Sequence, residues 1–408
     1  MTSKPTQVLG VIVSLALRKP CPHMSTKHSK FILLPIFLSV GCGEEQLLNE
    51  EGWSKSNAVS AAQQSLAYGL LEDVKDTILL NDFYTRKYDA EEADQRGFDA
   101  RDAEFITGNT QWGAVDIKSE PSVTNMVWAG GYFRSGKPWD ASWADHKATS
   151  QPDLPGRNSA AIANRSTGTT VTGVHTHNVH DAFRSTSAVD WELQHSWSTY
   201  TRDDAVENDG LNSGKVYDCL FDGTYVGISV RPDDELDAQG NVLTLRKVTI
   251  RMQAMPYPYK WNTRPQNVVD ENNKPWVQGV SRGIPYGHGP MFKIISGDDP
   301  KNMHWSIKHC TFVAMTNMEN TSFLDFPDAS LIDELENVTV VWLGDGPYPG
   351  YLPTDAFPGE ITVLTGEAGL DFYWTRVRDW HRRHPDVAPL HKPDPTKYYT
   401  PIVFPETF

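Results

Sequence analysis

The sequence predicts an all-β solenoid, a stack of short strands repeating about every 22 residues and closed by short helices. Two patterns carry this prediction. The first, apolar-x-x-apolar-x-apolar, occurs as Val123-Met126-Trp128, Val216-Cys219-Phe221, Leu245-Val248-Ile250, Ile307-Cys310-Phe312 and Leu335-Val338-Val340. Val171-Val174-Thr176 and Leu193-Ser196-Ser198 are weaker copies. The second is a small residue followed by an apolar one. Ala161-Ile162, Ala182-Phe183, Ala205-Val206 and Gly227-Ile228 follow one another at a nearly constant step. A coil of short strands cannot bury its own apolar face, so coils must stack and share one core.

Two independent patterns with one period resemble the right-handed parallel β-helix superfamily, the pectate-lyase-like fold, over residues 98–370. The resemblance rests on period and pattern, not on a catalytic motif. A leucine-rich repeat would need denser leucine and its own asparagine spacing. An antiparallel sandwich or propeller is the other alternative.

The elements are expected in the following order. Residues 1–41 read as an export signal, and 1–23, with its apolar stretch Val8 to Leu17, reads as an over-long start before Met24. Lys27, His28 and Lys30 precede the apolar run Phe31 to Leu38, which is too short to span a bilayer. Leu38-Ser39-Val40-Gly41-Cys42 is similar to the lipobox of bacterial lipoproteins, with serine in place of the commoner leucine. The resemblance implies lipidation of Cys42, export, and a membrane contact through the lipid alone, at the outer membrane or cell surface. An ordinary signal peptide with a chance cysteine is the alternative.

Residues 42–97 are expected to be a linker and an N-terminal capping helix. Helical spacing runs through Ala58, Ala61, Ala62, Leu66, Leu70, Leu71, Val74, Ile78 and Leu79, and charged Asp89 to Asp102 reads as loop. Residues 371–408 form a C-terminal cap and tail, with helical character from Asp371 to His384 and Pro385 as its stop. Two segments interrupt the repeat. Gly136 to Arg157 carries Trp139 and Trp143. Met252 to Gly289 carries Tyr257, Tyr259 and Trp261 among prolines. Long loops on a regular scaffold are where binding concentrates, and Trp and Tyr offer flat faces to sugar rings; aromatic lids at the ends of the stack are the other use.

Cys219 and Cys310 fall in one inward column, with the Leu245 copy between them. Two rises of about 4.8 Å exceed the reach of a disulfide, about 7 Å between Cα atoms, so both are expected as buried free thiols. The net charge of −15 disfavours nucleic acid as a partner. The chain is expected to act as a monomer.

Strand alternation turns Ile162, Phe183, Val206 and Ile228 inward and lines up outer columns beside them. These are Ala161, Ala182, Ala205 and Gly227; Ala163, Arg184, Glu207 and Ser229; Ser159, His180, Asp203 and Tyr225; and Arg165, Thr186, Asp209 and Arg231. A floor of small residues with charged walls suits an extended polysaccharide, with Arg165, Tyr225 and Arg231 as contacts. A solvated ladder of salt bridges would look the same in sequence.

Two chemistries fit the acidic stretch from Arg202 to Asp209. In a β-eliminating lyase, Ca²⁺ held by Asp203, Asp204, Glu207 and Asp209 would neutralise a uronate while His180 or Arg184 takes the C5 proton. In a hydrolase, paired carboxylates act as acid and base. Asp203-Asp204 is similar to the Asp pair of polygalacturonases, and Gly287-His288-Gly289 to their Gly-His-Gly motif. His288 lies nearly four coils beyond Asp204 where one is expected, unless the long loop folds back. The lyase is the first expectation, the hydrolase the second, and a non-catalytic glycan-binding or adhesive lipoprotein the third. His175, His177 and His180 could also suggest zinc, but no Cys or acidic partner stands at a suitable spacing.

Overall fold

The computed structural model describes residues 67–74, 76–90, 97–107, 113–118, 124–136, 160–231, 238–253, 255–256, 286–294, 302–314 and 321–387. Cys42, Trp139, Trp143, Tyr257, Tyr259 and Trp261 lie outside them. The described residues are mostly β, in two long parallel sheets of nine and fifteen strands. This arrangement is compatible with a parallel β-helix. An antiparallel pair, Met255–Pro256 with Tyr286–Gly287, stands apart.

The inward side chains of the two sheets form aligned ladders. In the nine-stranded sheet Phe98, Trp128, Val171, Leu193, Val216, Leu245, Ile307 and Leu335 are successive partners. In the larger sheet Val115, Ile162, Phe183, Val206, Ile228 and Phe292 follow one another. All belong to one buried apolar cluster. The step between partners is nearly constant from Ile162 to Ile228 and from Val171 to Val216. It lengthens on the way from Val216 to Leu335, most of all between Leu245 and Ile307, where a long insertion intervenes.

A left-handed residue begins the corner between the sheets in coil after coil. Gly130, Gly173, His195, Asp218, Lys247, His309 and Asn337 all have φ between 48° and 83°. Only the glycines adopt this without steric cost; at the others it costs about 1 kcal/mol each. Beyond Gly131 the residue after the left-handed one is buried, which stacks Cys219, Val248 and Cys310 in the core. Both cysteines are free and buried.

The N-terminal region differs from expectation. Within the proposed helix, Gly69–Asp73 is a short 3-10 turn, and Ile78–Leu79 is already a strand. Tyr88–Ala90 and Gly97–Asp99, expected as loop, are strands paired with Gly113–Ile117 and Val127–Ala129. Sheet partners decide here, because Ala90 and Phe98 bury completely against the stack.

At the other end, helix α1 (Gly366–Arg383) starts ahead of Asp371. It lies along the outside of the larger sheet. Tyr373, Val377 and Trp380 cover the outward apolar residues Trp197, Leu220, Val313 and Val341. Trp380 donates from Nε1 to the Asp218 carbonyl at 2.8 Å, and the Asp218 carboxylate takes Arg383 and His384. Tyr373 and Arg251 both donate to Asp222 Oδ1, each at 2.5 Å.

Candidate active site

The larger sheet bends within its long strands, and the candidate site lies beyond that bend. The Trp197–Asp209 strand pairs first with His175–His177 and then with Asp181–Thr186. A register irregularity between Thr201 and Asp204 marks the turn. Past it, Asp116, Ala163, Arg184, Glu207, Ser229 and Lys293 are successive ladder partners.

Acidic groups converge beside this ladder. One oxygen each from Asp181, Asp204 and Glu207 lies within 4.8 Å of the others, and the same holds for ligand atoms of His180, Asp181 and Asp203. His180 Nδ1 is 3.0 Å from Asp181 Oδ1, and its Nε2 is 3.6 Å from Asp203 Oδ2. The Asp204 N–H donates to Asp181 Oδ1 at 3.2 Å. Lys293 Nζ stands 3.4 Å from both Asp204 carboxylate oxygens. Arg184 pairs with Glu207 at 3.3 Å and with Asp209. Ser229 Oγ is buried and has no hydrogen-bond partner among the described residues.

Burial splits the ionisation of these acids. Desolvation, then the Asp203 charge, pushes Asp204 well above the usual carboxylate range. Desolvation and the charge of Asp181 raise Glu207 to about 8. Burial also opposes ionisation of Asp181, but His180, Arg184 and the Asp204 N–H outweigh it and lower its pKa. Lys293 and Arg184 are held charged: burial disfavours this, and the surrounding carboxylates overcome it.

His180, Asp203, Asp204 and Glu207 therefore come together, and Arg184 joins them. Several expectations change. Arg184, held by Asp209 and Glu207 and with a raised pKa, cannot take a proton. Asp209 is held by Arg184 and stands outside both convergent groups. Ala161, Ala182 and Ala205 pack into the core cluster and do not floor a groove, because strict alternation fails at the bend. Tyr225 is buried with Val226 and Tyr200. Arg165 pairs with Asp116 at 3.0 Å, and Arg231 is exposed at a strand end. His175 stacks between Tyr132 and Trp197, and His177 meets Thr199, so the three histidines form no common metal group among the described residues.

Sequence reasoning missed Asp181 and Lys293. The signal for Asp181 was available, since 181 and 204 stand one coil apart, at the same step as Phe183 and Val206. Lys293 was hidden by the long insertion before it. That insertion does return to the stack. Gly289 N–H donates to the Tyr225 carbonyl at 2.7 Å, and Gly227 N–H to that of Pro290 at 3.1 Å. Gly287-His288-Gly289 thus lies against the strand whose Val226 is the partner of Asp204. His288 is fully buried, with its pKa lowered to about 4 by desolvation.

No family model matches the chain, and no curated protein or solved structure matches it.

Proposed function

We propose that the chain is a right-handed parallel β-helix, with one coil to about every 22 residues, that hydrolyses a polysaccharide at the Asp181–Asp204–Glu207 cluster. The observation that carries this reading is the split between neighbouring carboxyl groups. Glu207, protonated up to about pH 8, can give its proton to a glycosidic oxygen, while ionised Asp181 serves as nucleophile or base. Their nearest oxygens lie within 4.8 Å of one another, a close pairing of the kind a retaining mechanism uses. Lys293 and Arg184 border the cluster and are its more accessible members, with Lys293 26% exposed. They offer charged hydrogen bonds to a sugar.

Export and a lipid on Cys42 complete the reading, supported by the sequence from Lys27 to Cys42 alone. The test is reducing-end release from a glycan panel by wild type and Asp181→Asn, with the anomer of the product read by NMR. Release by wild type that Asp181→Asn abolishes supports the reading. Release that survives in Asp181→Asn sinks it.

A second reading, β-elimination of a uronate polymer, is favoured by the donor set. Three carboxylate oxygens suit Ca²⁺, and two of these carboxyls are held toward protonation by burial and like charge, which a dication would relieve. Asp181, Asp204 and Glu207 would hold the ion, and bound there it would neutralise the uronate and acidify its C5 proton. Calcium-dependent ultraviolet absorbance of unsaturated ends would select this reading. Binding without either product would leave a glycan-binding protein.

A further inference from the structure

The outer face of the nine-stranded sheet changes character halfway along. At its strands Gly97–Asp99 and Thr170–Thr172 it is covered: Thr172 Oγ1 donates to the Ala67 carbonyl at 2.6 Å, and a Cβ on Gly97 would touch Leu71, Thr77 and Val74. From Trp191–Gln194 onward it opens. Glu192, Lys215, Thr244, Ser306 and Glu334 form one outward column, and Tyr217, Arg246, Lys308 and Glu336 another. Two cavities of about 280 and 450 Å³ lie on this stretch and share Val242 and Thr244, so they form one continuous groove.

We propose that this groove binds an uncharged glycan chain laid along the stack, away from the carboxylate cluster. Ten of its thirteen lining residues carry a charged or hydroxyl side chain, the others being Trp191, Gly214 and Val242. None of the large exposed apolar side chains among the described residues lines it, which speaks against a lipid or an apolar protein surface. In a chain of net charge −15, the lining is close to balanced. Lys215, Arg246 and Lys308 face Asp190, Glu192, Asp333 and Glu334. Balanced charge complements a neutral polyol better than a polyanion. Lys215 and Arg246 are exposed and have no ion-pair partner among the described residues, so both remain available to hydroxyl groups. Five strands at about 4.8 Å spacing give a run on the order of 19 Å, room for several sugar rings. The inference does not depend on hydrolysis at Asp181.

The experiment is sedimentation of the full chain with insoluble cellulose, chitin and mannan. It compares wild type, the double variant Lys215→Ala/Arg246→Ala, Val242→Trp to fill the groove, and Asp181→Asn. Wild type and Asp181→Asn are expected to sediment alike with at least one of these glycans, at low and high salt. The double variant should bind about tenfold more weakly, and Val242→Trp should lose binding. Retention of full binding by both groove variants overturns the proposal. So does binding confined to a soluble polyuronate and abolished by salt. Binding by a wild type that releases no reducing ends leaves this inference standing while the hydrolase reading falls.

Discussion

The backbone N–H of Asp204 donates to Oδ1 of Asp181 across adjacent strands, at 3.2 Å. The same oxygen faces His180 Nδ1 at 3.0 Å. Asp181 is thereby kept as an acceptor, and its charge is one cause of the high pKa of Glu207. Ionisation of one acid and protonation of the other are two results of a single arrangement.

The activity profile should show this directly. Glu207 must keep its proton, so kcat/KM should fall on an alkaline limb near pH 8. Glu207→Gln should lower activity by about 10²–10⁴-fold and remove that limb. Measured pH–rate curves for the two proteins check the point.

Stability should fall as pH rises over the same range. A carboxyl whose folded pKa is about 8 binds more protons folded than unfolded between roughly pH 4.5 and 8, so folding weakens across that window. Glu207→Gln should flatten the slope. Asp181 acts in the opposite sense, contributing stability above its unfolded pKa that is lost as pH falls through its lowered folded value. Denaturant melts at several pH values would separate the two slopes.

Trp380→Ala should cost about 3–5 kcal/mol. Trp380 is 2% exposed in the cluster under α1, and the substitution also leaves the Asp218 carbonyl without its indole donor. Chemical unfolding would measure this loss, and a cost below about 1 kcal/mol would mean that α1 is not held as described.

Cys219 and Cys310 should resist alkylation in the native protein and react fully in denaturant. Both are buried, desolvation raises both thiol pKa values, and neither is bridged. Mass spectrometry of iodoacetamide-treated protein, without reductant, gives the answer.

The inward ladders were legible because side-chain burial has period two and the coils repeat the same positions. The register of Phe183, Val206 and Ile228 could be counted from sequence, and so could the separation of the two cysteines. The site was legible only in part. His180, Asp203, Asp204 and Glu207 came from one regular stretch. Asp181 was passed over because strict alternation assigned its neighbour His180 to the outside, and the bend between Thr201 and Asp204 upsets that count. Lys293 reaches Asp204 from 89 positions away, after an insertion that no period could span.

The corner residues bear on how this chain can change. From Gly130 to Asn337 the passage from the first sheet to the second takes no more than two residues, whatever the length of the coil. Extra length enters later in the coil, between or after the strands of the second sheet, as in the long step between Leu245 and Ile307. One edge of the stack therefore keeps time while the other stores novelty. New segments can be spliced in beside the carboxylate cluster without shifting a single rung, and a specificity-altering graft belongs on that edge.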